Sequence, residues 1–234
     1  ALSSGSDEKI TEGLDGLSKR LIEYKSLGAK FTKWRAVINI DTKKKYPSEY
    51  CVQSNAFILA RYAKIVQENE MVPIVEPEVI MDGNHTINDC LKATTLTLQH
   101  VFNQLKFQKV DLKGILLKPN MVIHGSQSSK KASAEEVAKI TVKCLQKYVP
   151  KEVPGIVFLS GGQSNEIATL HLNEMNKLFK DLPWKLSFSY GRALQQPSIL
   201  NWKGNKKNVE SSQKALFVRS KLNSIATSGD YSSD

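Results

Sequence analysis

The sequence predicts an α/β protein whose parallel sheet is assembled from about five βα units, arranged as part of a TIM (β/α)8 barrel. Three observations lead there. Short apolar runs alternate with longer stretches of helical periodicity, the order expected of βα units around a parallel sheet. Each apolar run ends on a polar or charged residue, namely Lys33, Glu76, Lys118, Ser160 and then Ser189 to Arg192, and the first three intervals are 43, 42 and 42 residues. Polar groups recurring at the C-terminal ends of successive parallel strands are the layout of a barrel mouth. Finally, no G-x-G-x-x-G follows the first apolar run, which argues against the dinucleotide site of a doubly wound sheet.

The strand-like runs cover 31–40, 72–78, 114–118, 155–160 and 185–190. In the first, Phe31, Lys33, Arg35 and Val37 share a face, and in the second Val72, Ile74, Glu76 and Glu78 do. Helical patterns cover 11–24, 50–67, 86–105, 133–148, 163–179 and 207–225. Leu14, Leu17 and Leu21 line one face of the earliest. Thr86 with Asp89 three residues on reads as a capped start, and Ser133-Ala134-Glu135-Glu136 reads as a capping box. Five strands cannot close an eight-stranded barrel, so an open edge is expected at each end of the sheet. The chain starts at Ala1 in a polar stretch that leads toward a helix, and a partial chain, incomplete at its N-terminal side, accounts for both observations. A single barrel-type domain over 1–234 is expected.

Composition narrows the function classes. At 41% hydrophobic and 24% charged the chain can bury a sizeable core, and no apolar run approaches the ~18 residues of a bilayer span. Ala1 to Glu8 lacks the basic-then-apolar order of a secretory signal, so Asn84-His85-Thr86 is discounted as a glycosylation site. Cys51, Cys90 and Cys144 are odd in number, widely spaced and inside helical patterns, which suits core packing in a reducing cytoplasm. The formal charge of +10 attracts polyanions in general. Its clusters, Lys43-Lys44-Lys45, Lys130-Lys131 and Lys206-Lys207, lack interleaved aromatics and accompany no nucleic-acid-binding signature. Neither a nucleic-acid nor a membrane partner is expected. His85, His100, His124 and His171 show no metal-ligand spacing, so no metal cofactor is expected either.

The strand ends carry the chemistry. A lysine at such a position can act as a nucleophilic amine, which requires the neutral form that desolvation and a nearby cation favour. Lys33 and Arg35, on a different strand, are candidate cations. From Gly114 to Pro119 alone, a nucleophile and a plain surface lysine fit Lys118 equally well. Glu76 and Glu78 suit the proton shuttling that imine formation needs, and they equally suit an ion-pair network with Lys33 and Lys118. Ser160-Gly161-Gly162-Gln163-Ser164 precedes a helix, where small residues let backbone N–H groups approach an anion. Ser189-Tyr190-Gly191-Arg192 adds a second glycine turn and a guanidinium. Two such turns on adjacent units resemble the phosphate site after the last strands of many barrels.

Five motifs in order identify a resemblance. Phe31-Thr32-Lys33-Trp34-Arg35, Val72-Pro73-Ile74-Val75-Glu76-Pro77-Glu78, Leu116-Leu117-Lys118-Pro119-Asn120-Met121, Phe158-Leu159-Ser160-Gly161-Gly162-Gln163-Ser164 and Phe188-Ser189-Tyr190-Gly191-Arg192-Ala193-Leu194 resemble class I fructose-1,6-bisphosphate aldolase. The resemblance runs from Thr11 to Ala226. It implies that Lys118 condenses with the C2 ketone of the sugar, with no metal and no other cofactor. It also implies that Glu76 is the acid–base group with Glu78 beside it, and that Lys33 assists cleavage. Ser160, Gly161, Ser189, Gly191 and Arg192 would bind the C1 phosphate end, and Arg35 would face the C6 end. The products would be dihydroxyacetone phosphate and glyceraldehyde 3-phosphate. The family implies a cytoplasmic homotetramer of glycolysis and gluconeogenesis.

Two departures are expected to matter. The five units would be strands 4 to 8 of the barrel, and the family's first three strands carry an aspartate near the imine, a further lysine and serines for the other phosphate. The mobile C-terminal tail ending in tyrosine is also unmatched, since the chain stops at Gly229-Asp230-Tyr231-Ser232-Ser233-Asp234. This polypeptide alone is therefore expected to be a poor catalyst. The alternative is a catalytically inactive aldolase-like fragment serving as a binding or scaffold protein.

Overall fold

A computed structural model describes residues 1–3 and 6–232; Ser4 and Gly5 in the polar N-terminal stretch, and Ser233 and Asp234 at the C-terminus, lie outside the described residues. The order is α1 (Leu17–Ser26), β1 (Phe31–Ile38), α2 (Glu49–Glu68), β2 (Val72–Val79), α3 (Ile87–Phe107), β3 (Leu116–Leu117), α4 (Ala134–Tyr148), β4 (Gly155–Phe158), α5 (Asn165–Leu178), β5 (Lys185–Phe188), α6 (Arg192–Trp202) and α7 (Val209–Ala226). All four strand pairings are parallel, and the strands lie in sequence order from β1 to β5. The expected run of five βα units is present, and β1 and β5 are the two edges of the sheet among the described residues.

Local chemistry sets the helix starts. Ser48, Thr86, Ser133 and Ser164 each accept a hydrogen bond from an N–H in the first turn of the helix that follows, satisfying a donor that has no partner within the helix. The full reciprocal capping box forms at Thr86 and Asp89. At α4 the Ser133 hydroxyl accepts from the Glu136 N–H, the half of the box that fixes the first turn. α1 begins later than its leucine spacing predicts, because Gly13 (φ 121°) and Gly16 (φ 66°) take left-handed or mirror conformations that interrupt a helix. The segment before it is pinned instead. The buried Glu8 carboxylate accepts from the Ser48 N–H (2.7 Å) and hydroxyl (2.6 Å), tying the N-terminal stretch to the start of α2.

Four of the five strands are shorter than their apolar runs, and β2 extends one residue past its run, to Val79. The run at 114–118 keeps only Leu116–Leu117 as β3, because Leu112–Gly114 turns as a 3-10 helix. Pairing nevertheless continues past the formal strand ends. The Lys118 N–H donates to Val75 O (2.8 Å), Leu159 to Pro119 O (3.3 Å) and Ser189 to Phe158 O (2.8 Å). The residues after β3, β4 and β5 are thereby held in register as a continuation of the sheet. α6 is an element that the hydrophobic spacing does not announce, with Pro197 inside it.

The core lies between the sheet and its helices. Along β1, Ala36 and Ile38 are buried on the helix side while Lys33 and Arg35 occupy the other face. β2, flanked on both sides, is buried from Pro73 to Val79, the pattern of a central parallel strand. Cys51, Cys90 and Cys144 are free thiols in α2, α3 and α4, all buried as expected of core residues. Burial pushes the Cys51 thiol up to about 12 and the Cys90 thiol up to about 11, so both stay protonated near neutrality.

Asn120 locks the segment after β3 to its neighbours. Its Oδ1 accepts from the Val79 N–H (3.2 Å), and its Nδ2 donates to Thr94 Oγ1 and Met121 O (both 3.0 Å). Asn120→Ala strands a buried main-chain donor and two acceptors. We expect a loss of about 2–4 kcal/mol in unfolding free energy, read as a lower urea midpoint with an unchanged slope.

Candidate active site

Three charged side chains meet across β1, β2 and the end of β3. Lys118 follows its strand as expected, whereas Lys33 and Glu76 lie inside β1 and β2, whose pairing runs on to Ile38 and Val79, and not at their ends. The β1–β2 register sets Arg35 opposite Glu76 and Val37 opposite Glu78, and Lys118 follows directly on β3, the other neighbour of β2. Glu76 is 3% exposed, and its two carboxylate oxygens face two ammonium groups. Oε1 lies 3.1 Å from Lys118 Nζ, and Oε2 lies 3.0 Å from Lys33 Nζ. Oε2 accepts no directed hydrogen bond, so its contact with Lys33 is one of charge. Lys118 is 9% exposed, so its amine sits inside the sheet mouth rather than on the surface. That geometry removes the surface-lysine reading. It leaves the ion-pair network and the acid–base reading of Glu76 as two descriptions of one arrangement.

Arg35 does not act as Lys118's neighbouring cation. It pairs with the buried Glu78, and that hydrogen-bonded partner raises the guanidinium pKa further. Lys33 alone reaches the Lys118 centre, through Glu76 rather than directly. The half-exposed Lys33 and Arg35 stand on the edge strand, so the mouth is open on that side.

The second cluster lies past β4 and β5. Gly161 (φ 57°) and Gly162 (φ 88°) both occupy the left-handed region, which lets the chain turn sharply after Ser160 into α5. Arg192 opens α6 directly after its N-terminal residue Gly191. A Cβ added at Gly162 would lie 3.5 Å from Arg192 Nη2, so the guanidinium and the glycine turn share one spot. Ser160 is buried, Ser189 half-buried, and Gly191 and Arg192 exposed. Among the described residues Arg192 forms no ion pair. A free guanidinium beside a left-handed glycine turn at a helix start suits an oxyanion ligand. The link Leu159 N–H to Pro119 O holds this turn next to the lysine segment.

A layer behind the turn was not visible in the sequence. Gln163 Nε2 donates to Ser160 O (2.9 Å) and contacts Met121 Sδ (3.6 Å), while its Oε1 lies 2.6 Å from His171 Nδ1. From the segment after β5, Tyr190 Oη donates to Ala168 O (2.7 Å). From α7, the buried Arg219 donates to Asn165 O (2.6 Å) and Thr169 Oγ1 (2.5 Å). Among the described residues no group of three or more His, Cys, Asp and Glu side chains is placed to hold a metal ion, and no helix is long and apolar enough to cross a membrane.

Parallel βα units with a buried lysine–carboxylate pair, beside a glycine turn with a free arginine, define a chain of the barrel-type α/β class. The chain belongs to the class I fructose-bisphosphate aldolase family, whose model ("Fructose-bisphosphate aldolase class-I") matches residues 1–234. It is 50% identical to fructose-bisphosphate aldolase of Dictyostelium discoideum over 227 residues, covering 97% of this chain and 63% of that protein. It is also 50% identical to "Fructose-bisphosphate aldolase 4, cytosolic" of Arabidopsis thaliana over 233 residues, covering 100% of this chain and 59% of that protein. A solved structure of fructose-bisphosphate aldolase from Plasmodium falciparum, in complex with TRAP and a small-molecule inhibitor, superposes with a TM-score of 0.96 at 46% identity. The match covers 99% of this chain and 66% of that one. The chain thus spans about three fifths of the length of the curated relatives it matches.

One histidine of the layer behind the turn has a measurable signature. Burial lowers the His171 pKa from 6.5 to about 4. The unfolded chain therefore binds more protons than the folded one across that interval, and stability falls as pH drops through it. The His171 contribution is about 3 kcal/mol at full effect, and His85, also lowered by burial, acts with the same sign. We expect His171→Asn to flatten the slope of unfolding free energy against pH between about 6.5 and about 4, measured by urea titration across the series.

Proposed function

We propose that this chain carries the imine-forming site of a class I aldolase that reversibly cleaves fructose 1,6-bisphosphate to dihydroxyacetone phosphate and glyceraldehyde 3-phosphate. The observation that carries the reading is Glu76, buried between the ammonium groups of Lys118 and Lys33 at 3.1 and 3.0 Å. Lys118 first passes a proton to Glu76 across their 3.1 Å contact. The neutral amine then attacks the C2 ketone, forming a C–N bond, breaking the carbonyl π bond and giving a carbinolamine once the amine proton moves to the oxygen. Glu76 donates a proton to the carbinolamine hydroxyl, which leaves as water and gives a protonated imine. Its Oε2, free of directed hydrogen bonds, has the lone-pair capacity to engage that hydroxyl.

The protonated imine is then the electron sink. The C3–C4 bond breaks, its electron pair passes into the enamine and neutralises the imine nitrogen, and the C4 hydroxyl proton goes to a base. The resemblance puts that base, an aspartate, on strands that this chain does not span. Lys33 keeps positive charge beside the reacting carbons, and Glu78 holds Arg35 toward the C6 end. Ser160, Gly161, Ser189, Gly191 and Arg192 take the C1 phosphate. No metal or further cofactor is required, because the imine supplies what a metal would.

In this reading 1–234 is one domain, strands 4 to 8 of the eight-stranded barrel, and the +10 charge suits a bisphosphate substrate. On this reading the protein acts in glycolysis and gluconeogenesis as a homotetramer, and the cytosolic name of the Arabidopsis relative supports a cytoplasmic location.

Borohydride reduction in the presence of dihydroxyacetone phosphate should attach the three-carbon unit to Lys118, located by peptide mass spectrometry of the intact protein. Glu76→Gln should slow cleavage by about 10²–10⁴-fold and slow trapping with it. An adduct on another residue, or none, would sink the proposal.

A further inference from the structure

We infer that His171 is a positioning residue for the phosphate-holding turn, acting through the Gln163 side chain on the Ser160 carbonyl. The inference rests on the anion role proposed for that turn and assigns its orientation to a residue that touches no substrate. Ser160 O receives two hydrogen bonds from Gln163, one from the main-chain N–H at 3.0 Å and one from Nε2 at 2.9 Å. A trans peptide sets its C=O and N–H antiparallel. Drawing the Ser160 carbonyl toward Gln163 therefore turns the Gly161 N–H the opposite way. Among the described residues that N–H makes no hydrogen bond. Because both glycines of the turn sit in the left-handed region, side-chain sterics do not hold this peptide, and its orientation rests on the main-chain bond and on the Gln163 side chain that reinforces it.

The brace has a unique hydrogen-bonding polarity. Ser160 O only accepts, so the Gln163 amide must present Nε2 to it and Oε1 to His171, 2.6 Å away. His171 must then carry its proton on Nδ1. Gln163, His171 and Ser160 are all buried, at 9%, 3% and 5% exposure, so water does not substitute for a missing partner. Without the imidazole, Oε1 is left without a donor, and the amide gains by turning away from Ser160. The same amide contacts Met121 Sδ, three residues after Lys118, so the brace also ties the turn to the lysine segment.

The test compares His171→Leu, His171→Asn and His171→Gln with Arg192→Ala in the intact protein, using inorganic phosphate as the probe alongside bisphosphate cleavage kinetics. Asn places a donor where Nδ1 stands, whereas Gln reaches past it. His171→Leu and His171→Gln should weaken phosphate binding and raise KM about ten-fold, the effect of one misdirected donor. Dihydroxyacetone phosphate at saturation should still trap on Lys118. His171→Asn should bind phosphate within about two-fold of the parent. Should His171→Leu fail to fold, the Asn–Gln pair decides alone. Equal weakening by Asn and Gln, or wild-type affinity in Gln, overturns the inference. If Arg192→Ala weakens phosphate binding while His171 variants do not, the turn is an anion site and only the His171 role fails. If Arg192→Ala leaves phosphate affinity unchanged, the anion reading itself fails and removes the inference with it.

Discussion

One buried carboxylate between two ammonium groups constrains the rest of this molecule. Glu76 is buried at 3% exposure with Lys118 and Lys33 facing its two oxygens, and a buried carboxylate without such partners is strongly disfavoured. The two lysines must therefore come from the strands on either side, which makes β2 a central strand with parallel neighbours. The pair β1–β2 is long, eight residues each, and fixes the register that aligns Arg35 and Val37 with Glu76 and Glu78. On the other side β3 is only two residues, and its short ladder is reinforced by the Lys118 N–H bond to Val75 and by the Asn120 side chain. Breaking a buried pair of this kind costs several kcal/mol, whereas its net stabilising value is small. The arrangement is thus one to expect where chemistry, rather than stability, sets the residues.

The anion turn obeys a different logic. Its donors are backbone groups of glycine, which supply no side chain to fix them, so their orientation is borrowed from polar groups one layer back. Gln163 and His171 brace the Ser160 peptide. Tyr190 and Arg219 grip the carbonyls of Ala168 and Asn165 in the first turn of α5. Arg219 in turn shares Thr169 with Asn223, whose Oδ1 accepts from the Thr169 hydroxyl at 2.6 Å. The side chains that grip the carbonyls of α5 therefore come from the segment after β5 and from α7, not from the helix itself.

Much of this was legible in the sequence, for identifiable reasons. Lys118, Ser160 and Arg192 stand out because each follows an apolar run and lies past a strand end, where a parallel sheet exposes side chains, whereas Lys33 and Glu76 are polar residues inside β1 and β2. Thr86 and Ser133 mark helix starts because capping depends on neighbours within a turn. The shortness of β3 was hidden because pairing depends on partners some forty residues away in sequence. α6 was missed because Pro197 reads as a helix breaker, and its ring is tolerated here in a helix with little amphipathic pattern. Arg35 looked like a partner for Lys118 because alternation sets the face of a strand without setting which carboxylate claims the cation. The Gln163–His171 contact joins residues that, in sequence, looked like part of a glycine motif and an isolated histidine. Only the packing of α5 against the turn brings them within 2.6 Å.

The strictly consecutive strand order bears on how the molecule is made. Every sheet pairing among the described residues joins a strand to the next one in the chain, so this part of the sheet can lengthen unit by unit as the polypeptide leaves the ribosome. On that schedule Glu76 and Lys118 are neighbours once β3 docks. The grip on α5 is completed only when α7 packs down and delivers Arg219. A nascent chain halted between those two points would hold the reactive amine in place beside its carboxylate while its grip on a phosphate was still loose.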